Sequence, residues 1–210
     1  MNLTKLLLII GLLAVPALLC SCGLIGLRGI ERAKYTVVTK QGAFEIRQYA
    51  PQIVAETVVK ADFDEAGNVA FRRLYGYISG QNRAKKSIAM TAPVEQASSE
   101  KIAMTAPVEQ VETGGQYTVN FLMPAQYTME TLPQPLDPEV TLREIPARKM
   151  AALRYSGTWS QKRYARKQEA LEQFIVEQGL DVTGEAVFAR YDPPFQLWFL
   201  RRNEVLIPVE

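Results

Sequence analysis

The chain has 210 residues, of which 24 are Lys or Arg, 22 are Asp or Glu, and none is His. This length is enough for one domain with a substantial core or for two small domains. The near balance of positive and negative side chains gives no basic field for nucleic acid and no acidic tail. The lack of histidine excludes Ser-His and Cys-His nucleophile pairs, imidazole bases and histidine metal ligands.

The first 22 residues have the features of a bacterial secretory signal. Lys5 precedes an apolar run over residues 6–19, and Leu19-Cys-Ser-Cys22 follows it. The run is short for a spanning helix, which needs about 20 apolar residues. Because Leu19 to Cys22 is similar to a lipobox, we expect a lipoprotein signal peptide over residues 1–21 and a lipid on Cys22. Cleavage before Cys20 and secretion without lipid are the alternatives.

Residues 22–32 mix glycines with apolar side chains and show no clear period. We expect a membrane tether that lies against the bilayer surface without inserting as an independent anchor. Gly23, not aspartate, follows the cysteine, which resembles the default for outer-membrane sorting in Gram-negative lipoproteins. The expected location is therefore the cell envelope, at the outer membrane and facing the periplasm. Cys22 would then be the one cysteine of the mature chain, so no disulfide is expected.

The domain predicted over residues 33–210 begins with strands. Residues 44–49 and 53–60 alternate as strands do, and the short turn between them predicts a hairpin. In the first strand Phe44, Ile46 and Gln48 share one face. The other face carries Glu45, Arg47 and Tyr49 and is expected to face water.

A helix is predicted over residues 64–79, where five side chains form one stripe at helical spacing. Asp62 or Asp64 can cap its start, and Gly80 can end it. After a turn at the glycine pair 114–115, residues 117–123 form another predicted strand. The buried stripe of the helix consists of Ala66, Ala70, Leu74, Tyr77 and Ile78.

A nine-residue sequence occurs twice without change, at Ile88–Gln96 and Ile102–Gln110. Each copy alternates apolar with small or polar residues, and each contains a proline that suits a sheet edge or a bulge, Pro93 or Pro107. We expect two strands of a hairpin-like unit, joined by residues 97–101. The alternative is a local duplication that lengthened a loop.

The second half repeats the order of the first after a linker over residues 124–138 that contains four prolines. Ser160 and Gly179 suit the start and end of its helix. The two halves predict an α+β fold, a distorted antiparallel β-barrel with one outer helix in each half. Two separate small domains are the alternative. The elements predicted here are strands at 140–145 and 149–155, a helix at 161–178, and strands at 185–192, 195–200 and 204–209.

Four motifs carry a resemblance to the SOUL haem-binding family, in matching order and over about residues 33–210. They are Phe44–Tyr49, Tyr77–Asn82, the IAMTAPV heptapeptide that begins at Ile88, and Tyr191–Pro194 followed by Arg201–Val205. The resemblance implies a barrel with two outer helices. It also implies haem or another tetrapyrrole as a ligand, with the first helix supplying the binding surface.

Two aromatic residues of the first helix, Phe71 and Tyr75, lie outside its core stripe on a helical wheel. They predict a flat apolar platform, and neighbouring arginines would pair with ligand carboxylates. The alternatives are that the last strands cover them or that they are isolated surface aromatics. The predicted ligand-binding residues are Asn68, Phe71, Arg72 and Tyr75, together with Tyr191, Pro193 and Pro194, whose position in the resembling motif is next to that helix.

No catalytic residue and no metal ligand set is identified, and the methionines are better explained as packing. Any haem is therefore expected to lack a strong protein ligand on iron. The predicted function is an envelope lipoprotein that binds haem or a similar flat hydrophobic ligand and acts without enzymatic activity. The alternatives are an interaction lipoprotein without a small ligand, and a small-molecule hydrolase that uses carboxylates such as Glu45 or Glu56.

Overall fold

The computed structural model describes residues 30–85 and 98–210. Its helices are α1, Phe63–Ile78, and α2, Gln161–Glu177, and Trp198–Leu200 form one turn of 3-10 helix. The strands are β1 Glu31–Arg32, β2 Tyr35–Gln41, β3 Phe44–Tyr49, β4 Gln52–Val59, β5 Asn82–Arg83, β6 Thr105–Ala106, β7 Val108–Thr113, β8 Gln116–Leu122, β9 Gln134–Pro135, β10 Thr141–Ile145, β11 Arg148–Tyr155, β12 Val187–Arg190 and β13 Asn203–Pro208.

Nine of these strands form one antiparallel sheet in the order β10-β4-β8-β7-β12-β13-β11-β3-β2. The sheet curls into a half-barrel, and this α+β architecture with two helices confirms the predicted fold class. Helix α1 packs on β4 and β8, whereas α2 packs on β11 and β13. Each half of the chain therefore places its helix on its own strands.

Each half supplies a strand that pairs with a strand of the other half. Strand β3 of the first half pairs with β11 of the second, and β10 of the second pairs with β4 of the first. The predicted hairpin between residues 44–49 and 53–60 is therefore wrong, because β2 and β11 flank β3 while β8 and β10 flank β4. The exchange also excludes two separate domains. Residues 32–210 form one compact unit.

Local sequence signals fix both helices. The Asp62 carboxylate caps α1 by accepting a hydrogen bond from the Glu65 amide at 2.9 Å, and Gly80, with φ +120°, follows the helix. The Ser160 hydroxyl caps α2 through the Arg163 amide at 3.2 Å. Helix α2 begins at the predicted residue and ends one residue before its predicted end. Helix α1 begins and ends one residue before its predicted positions.

The predicted strand over residues 195–200 is wrong. Pro193 and Pro194 precede it, and local hydrogen bonds close the backbone into turns instead of a ladder. The Gln196 amide donates to the Pro193 carbonyl at 3.1 Å, and the Leu200 amide donates to the Leu197 carbonyl at 2.9 Å. The segment crosses between β12 and β13 as a turn and a single turn of 3-10 helix.

The second copy of the repeated nonapeptide forms β6 and the beginning of β7, and Pro107 separates the two strands. This position agrees with the inability of proline to donate to a ladder. Strand β7 is flanked by β8 and β12, so residues 108–110 do not pair with the first copy in the predicted hairpin. The first copy, at residues 88–96, lies outside the described residues.

Candidate functional site

The outward face of α1 carries two exposed aromatic side chains. Phe71 is 39% exposed and Tyr75 is 50% exposed. Their ring centroids are 5.8 Å apart and their planes differ by 10°. Phe71 also meets the buried Phe121 ring edge-on at 5.5 Å, which holds it against the sheet. The prediction that both aromatics lie outside the core stripe is confirmed, and together they expose a stacked, near-parallel pair of rings.

Asn68 and Arg72 lie beside this aromatic pair and are exposed. The Arg72 Nε donates to the Asn68 carbonyl at 3.5 Å, and within the described residues Arg72 makes no ion pair. Arg73, the next residue, instead lies 3.6 Å from the Glu139 carboxylate and bonds to Thr57. Arg72 is therefore the arginine of this helix that is available to an anionic ligand.

Arg190, at the end of β12, brings a second cation to α1. A Cβ at Gly67 would lie 3.2 Å from its Nη1, so the glycine lets the guanidinium approach the helix. The guanidinium lies 4.9 Å from the Phe188 ring centroid and 5.0 Å from that of Trp159. Its Nη2 donates to the Gln110 side-chain oxygen at 3.2 Å.

The charge of Arg190 is poorly compensated. In the described part of the chain it makes no ion pair, and its buried Nε has no hydrogen-bond partner. Burial lowers the pKa of Arg190 to about 10, against the opposing effect of Asp64, so the side chain is still a cation at neutral pH. Sequence reasoning missed this residue because its contact with α1 is made across the fold.

The structure separates Tyr191 from the exposed aromatics. Its side chain is buried, and its hydroxyl donates to Glu204 at 2.9 Å. Pro193 is half-buried and Pro194 is exposed, with the Pro194 carbonyl accepting from Arg201. The contact between this part of the chain and α1 is made by Arg190, the residue before Tyr191, which lies against Gly67.

Arg47 and Glu204 form a buried ion pair on the inner surface of the sheet. Their side chains are 1% and 0% exposed, and two hydrogen bonds of 2.6 and 3.0 Å join them. Arg202 adds a contact of 2.8 Å to Glu204. The expectation that Arg47 and Tyr49 face water is therefore wrong, because the curled sheet encloses that face of β3.

This cluster does not provide a catalytic base. Burial by itself would raise the pKa of Glu204, but the hydrogen bonds and charges of Arg47 and Arg202 outweigh it and lower the pKa. Both carboxylate oxygens accept hydrogen bonds from arginine. Burial also raises the pKa of Tyr49 to about 12. The cluster stabilises the interior, and nothing in its geometry favours hydrolysis.

The model of the SOUL heme-binding protein family matches residues 30–208. The chain belongs to this family. It is 26% identical to heme-binding protein 2 of Mus musculus over 189 residues, covering 82% of this chain and 85% of the mouse protein. The human heme-binding protein 2 is also 26% identical, over 179 residues, covering 78% of this chain and 80% of its own.

Solved structures share the fold of this SOUL protein. The C-terminal domain of EcmrR superposes with a TM-score of 0.58 at 13% identity, covering 84% of this chain and 98% of that domain. A hydrolase from Listeria innocua has a TM-score of 0.54 at 15% identity, covering 82% of this chain and 94% of its own. At these identities the likeness shows the fold alone.

Two of the candidate iron ligands of this SOUL chain are enclosed by the core. Met123 and Met150 are buried in the core, as packing predicts, whereas Met104 is 40% exposed and is not explained by packing. Over residues 30–85 and 98–210, no three Asp, Glu, Cys or His side chains are grouped so that they could hold a metal ion. No helix in these two ranges combines the length and apolarity needed to cross a membrane.

Proposed function

We propose that this SOUL protein binds haem or another flat tetrapyrrole, non-covalently, on the outward face of α1. The observation that carries the proposal is the near-parallel pair of exposed rings, Phe71 and Tyr75, in a chain of this family. The two mammalian relatives are named heme-binding proteins, which supports a tetrapyrrole over other flat ligands. Burial of the macrocycle against these rings would supply the main favourable free energy.

Two arginines suit the carboxylate groups that such ligands carry. Arg72 is beside the rings, and Arg190 contacts Gly67, one helical turn before Phe71. Both are without an ion-pair partner among the described residues, so a carboxylate would offset charge that the protein leaves uncompensated. A bound haem would bring its own iron chemistry, whereas these residues would bind and orient the ring.

We expect that a haem in the proposed site has no strong protein ligand on its iron, which makes metal selectivity testable. Haemin and metal-free protoporphyrin should bind the full chain within about tenfold of each other, a difference of about 1.4 kcal/mol. Absorption and fluorescence titrations measure both affinities. Far tighter haemin binding, with a spectrum of axial coordination that one Met or Tyr substitution abolishes, would show that an iron ligand exists.

Replacing both Phe71 and Tyr75 with serine should lower the affinities for haemin and for protoporphyrin by about tenfold or more. Both affinities should fall together, because both ligands lose the same apolar contact. Val176→Ser is the matched control, since Val176 is an exposed apolar residue on α2. Arg72→Gln should weaken binding of the porphyrin as its free acid. It should leave binding of the dimethyl ester of the same porphyrin unchanged. Unchanged binding in the double variant, with an intact circular dichroism spectrum, would place the ligand elsewhere.

We also propose that the protein is a lipoprotein of the cell envelope, at the outer membrane and facing the periplasm. The support is the lipobox-like sequence that ends at Cys22, which lies outside the described residues. Cys22→Ser should abolish incorporation of labelled fatty acid in a bacterial host, and Cys20→Ser should leave it unchanged. Labelling that persists in Cys22→Ser would show that Cys20 or another anchor is used.

A further inference from the structure

Residues 195–200, here called the apolar loop, expose a contiguous apolar surface between β12 and β13. Five of its six side chains are apolar, and each of the five is more than half exposed. Scattered apolar residues are normal on a protein surface, but a continuous run of large ones marks a binding surface. The five are Phe195, Leu197, Trp198, Phe199 and Leu200, and Phe195 reaches 86% exposure.

The backbone of the apolar loop is held in place by hydrogen bonds. The Arg201 Nε donates to the Gln196 carbonyl at 2.8 Å, and the Gly157 amide donates to the Trp198 carbonyl at 3.0 Å. The Arg201 guanidinium also lies 4.5 Å from the Trp159 ring centroid. Since these contacts satisfy the backbone from the protein side, the loop presents its side chains outward in a fixed arrangement.

Positive charge lies next to the apolar loop. Lys40, Arg154 and Arg201 line one open depression together with Phe199 and Leu200. Arg154 is exposed, and neither it nor Arg201 makes an ion pair in the described ranges. Glu45, the acidic residue of this depression, is 2.9 Å from Lys40 and 2.8 Å from Arg47. The rim of this depression, formed by Lys40, Arg154, Arg201 and Glu45, therefore has an excess of positive charge.

We propose that the apolar loop inserts into the headgroup region of a lipid bilayer, with Lys40 and Arg154 against anionic phosphates. Trp, Phe and Leu on an exposed segment suit the boundary between headgroups and acyl chains. The cationic rim complements an anionic lipid surface, which selects a bilayer over a neutral apolar partner. The insertion holds the domain in one orientation at the membrane, and it requires neither a tetrapyrrole nor the lipid on Cys22.

The two tryptophans of the chain, Trp159 and Trp198, allow the insertion to be measured in the full chain. The probe is a vesicle of phosphatidylethanolamine and phosphatidylglycerol with bromine on the acyl chains. Trp198 fluorescence should shift to the blue, be quenched by bromine, and be shielded from acrylamide. Trp159, whose indole donates to Asn203 at 2.9 Å, should show none of these changes. Comparing the wild-type chain with Trp198→Phe isolates the Trp198 signal without altering Trp159.

Two sets of variants test the apolar and charged parts separately. Phe195→Ser with Phe199→Ser should abolish bromine quenching of Trp198. Lys40→Gln and Arg154→Gln should each weaken the loop's association with anionic vesicles about fivefold, the effect of about 1 kcal/mol for a basic residue near the surface. Lys162→Gln, at an exposed position of α2, is the control and should have no effect.

Two results would overturn the proposal. One is a Trp198 that stays open to acrylamide and is not quenched by bromine in the presence of vesicles. The other is shielding of Trp198 without vesicles that grows with protein concentration, since this would make a second copy of the chain the occupant of the loop. Light scattering at the same concentrations distinguishes that self-association from a change within one chain.

Discussion

At the scale of single residues, the Arg47–Glu204 ion pair is notable because both of its side chains are buried, at 1% and 0% exposure. Removing two charges from water is costly, and a buried pair repays this only with good geometry and further hydrogen bonds. Here the carboxylate accepts from both Arg47 and Arg202, and Tyr191 also donates to it. Loss of Glu204 would leave the buried Arg47 with Glu45, 2.8 Å away, as its remaining ion-pair partner.

Glu204→Gln should therefore lower the free energy of unfolding at pH 7 by about 3 kcal/mol, the lower end of the range for a broken buried pair. Arg47 and Arg202 lose the carboxylate that they share, and the buried Arg47 keeps Glu45 as its partner. Urea unfolding followed by circular dichroism measures the change. Glu56→Gln is the control, since Glu56 pairs at 2.8 Å with the half-exposed Arg143 and should cost about 1 kcal/mol or less. Adding Arg47→Met to Glu204→Gln should recover part of the loss, and a double variant no more stable than Glu204→Gln would contradict this explanation.

The same pair predicts part of the acid sensitivity of the fold. The pKa of Glu204 is lower in the folded protein than its ordinary value of 4.5, so its contribution is complete above that pH. The contribution is lost as the pH falls from 4.5 through the lowered pKa. Unfolding measured over this range should show a shallower pH dependence in Glu204→Gln than in the wild-type chain.

Arg47 also shows why sequence reasoning failed at this residue. Its strand was predicted correctly, and so was the alternation of its two faces. Which face meets water depends on the curl of the sheet and on a partner 157 positions away in the chain. Phe71 and Tyr75 could be found because a helical wheel needs only local spacing, whereas Arg190 could not, since β12 brings it to Gly67 from the second half.

At the scale of elements, signals that act within a few residues gave the best predictions. The caps at Asp62 and Ser160 and the stripe of α1 placed both helices within one residue of their observed ends. The segment 195–200 has the composition of a strand, but the two prolines before it and its own turn hydrogen bonds close it into turns. Pairing between strands was harder to predict, because a short turn between β3 and β4 suggested a hairpin that the sheet does not contain.

At the scale of the whole molecule, the strand exchange makes each half depend on the other. The edges of β4 and β11 are completed by β10 and β3, which come from the opposite halves. An uncovered strand edge with part of its apolar surface exposed is unstable in water and prone to association. Neither half should therefore hold its native structure alone.

Fragments 33–123 and 139–210, expressed separately, should be unfolded or aggregated, because each lacks the strand that the other supplies. Amide NMR spectra should show narrow dispersion for each fragment. Co-expression is the matched control, since together the fragments contain all nine strands of the large sheet and should assemble into a soluble complex with well-dispersed amides. Two separately well-dispersed spectra would contradict the prediction, because each half would then fold without the exchanged strand.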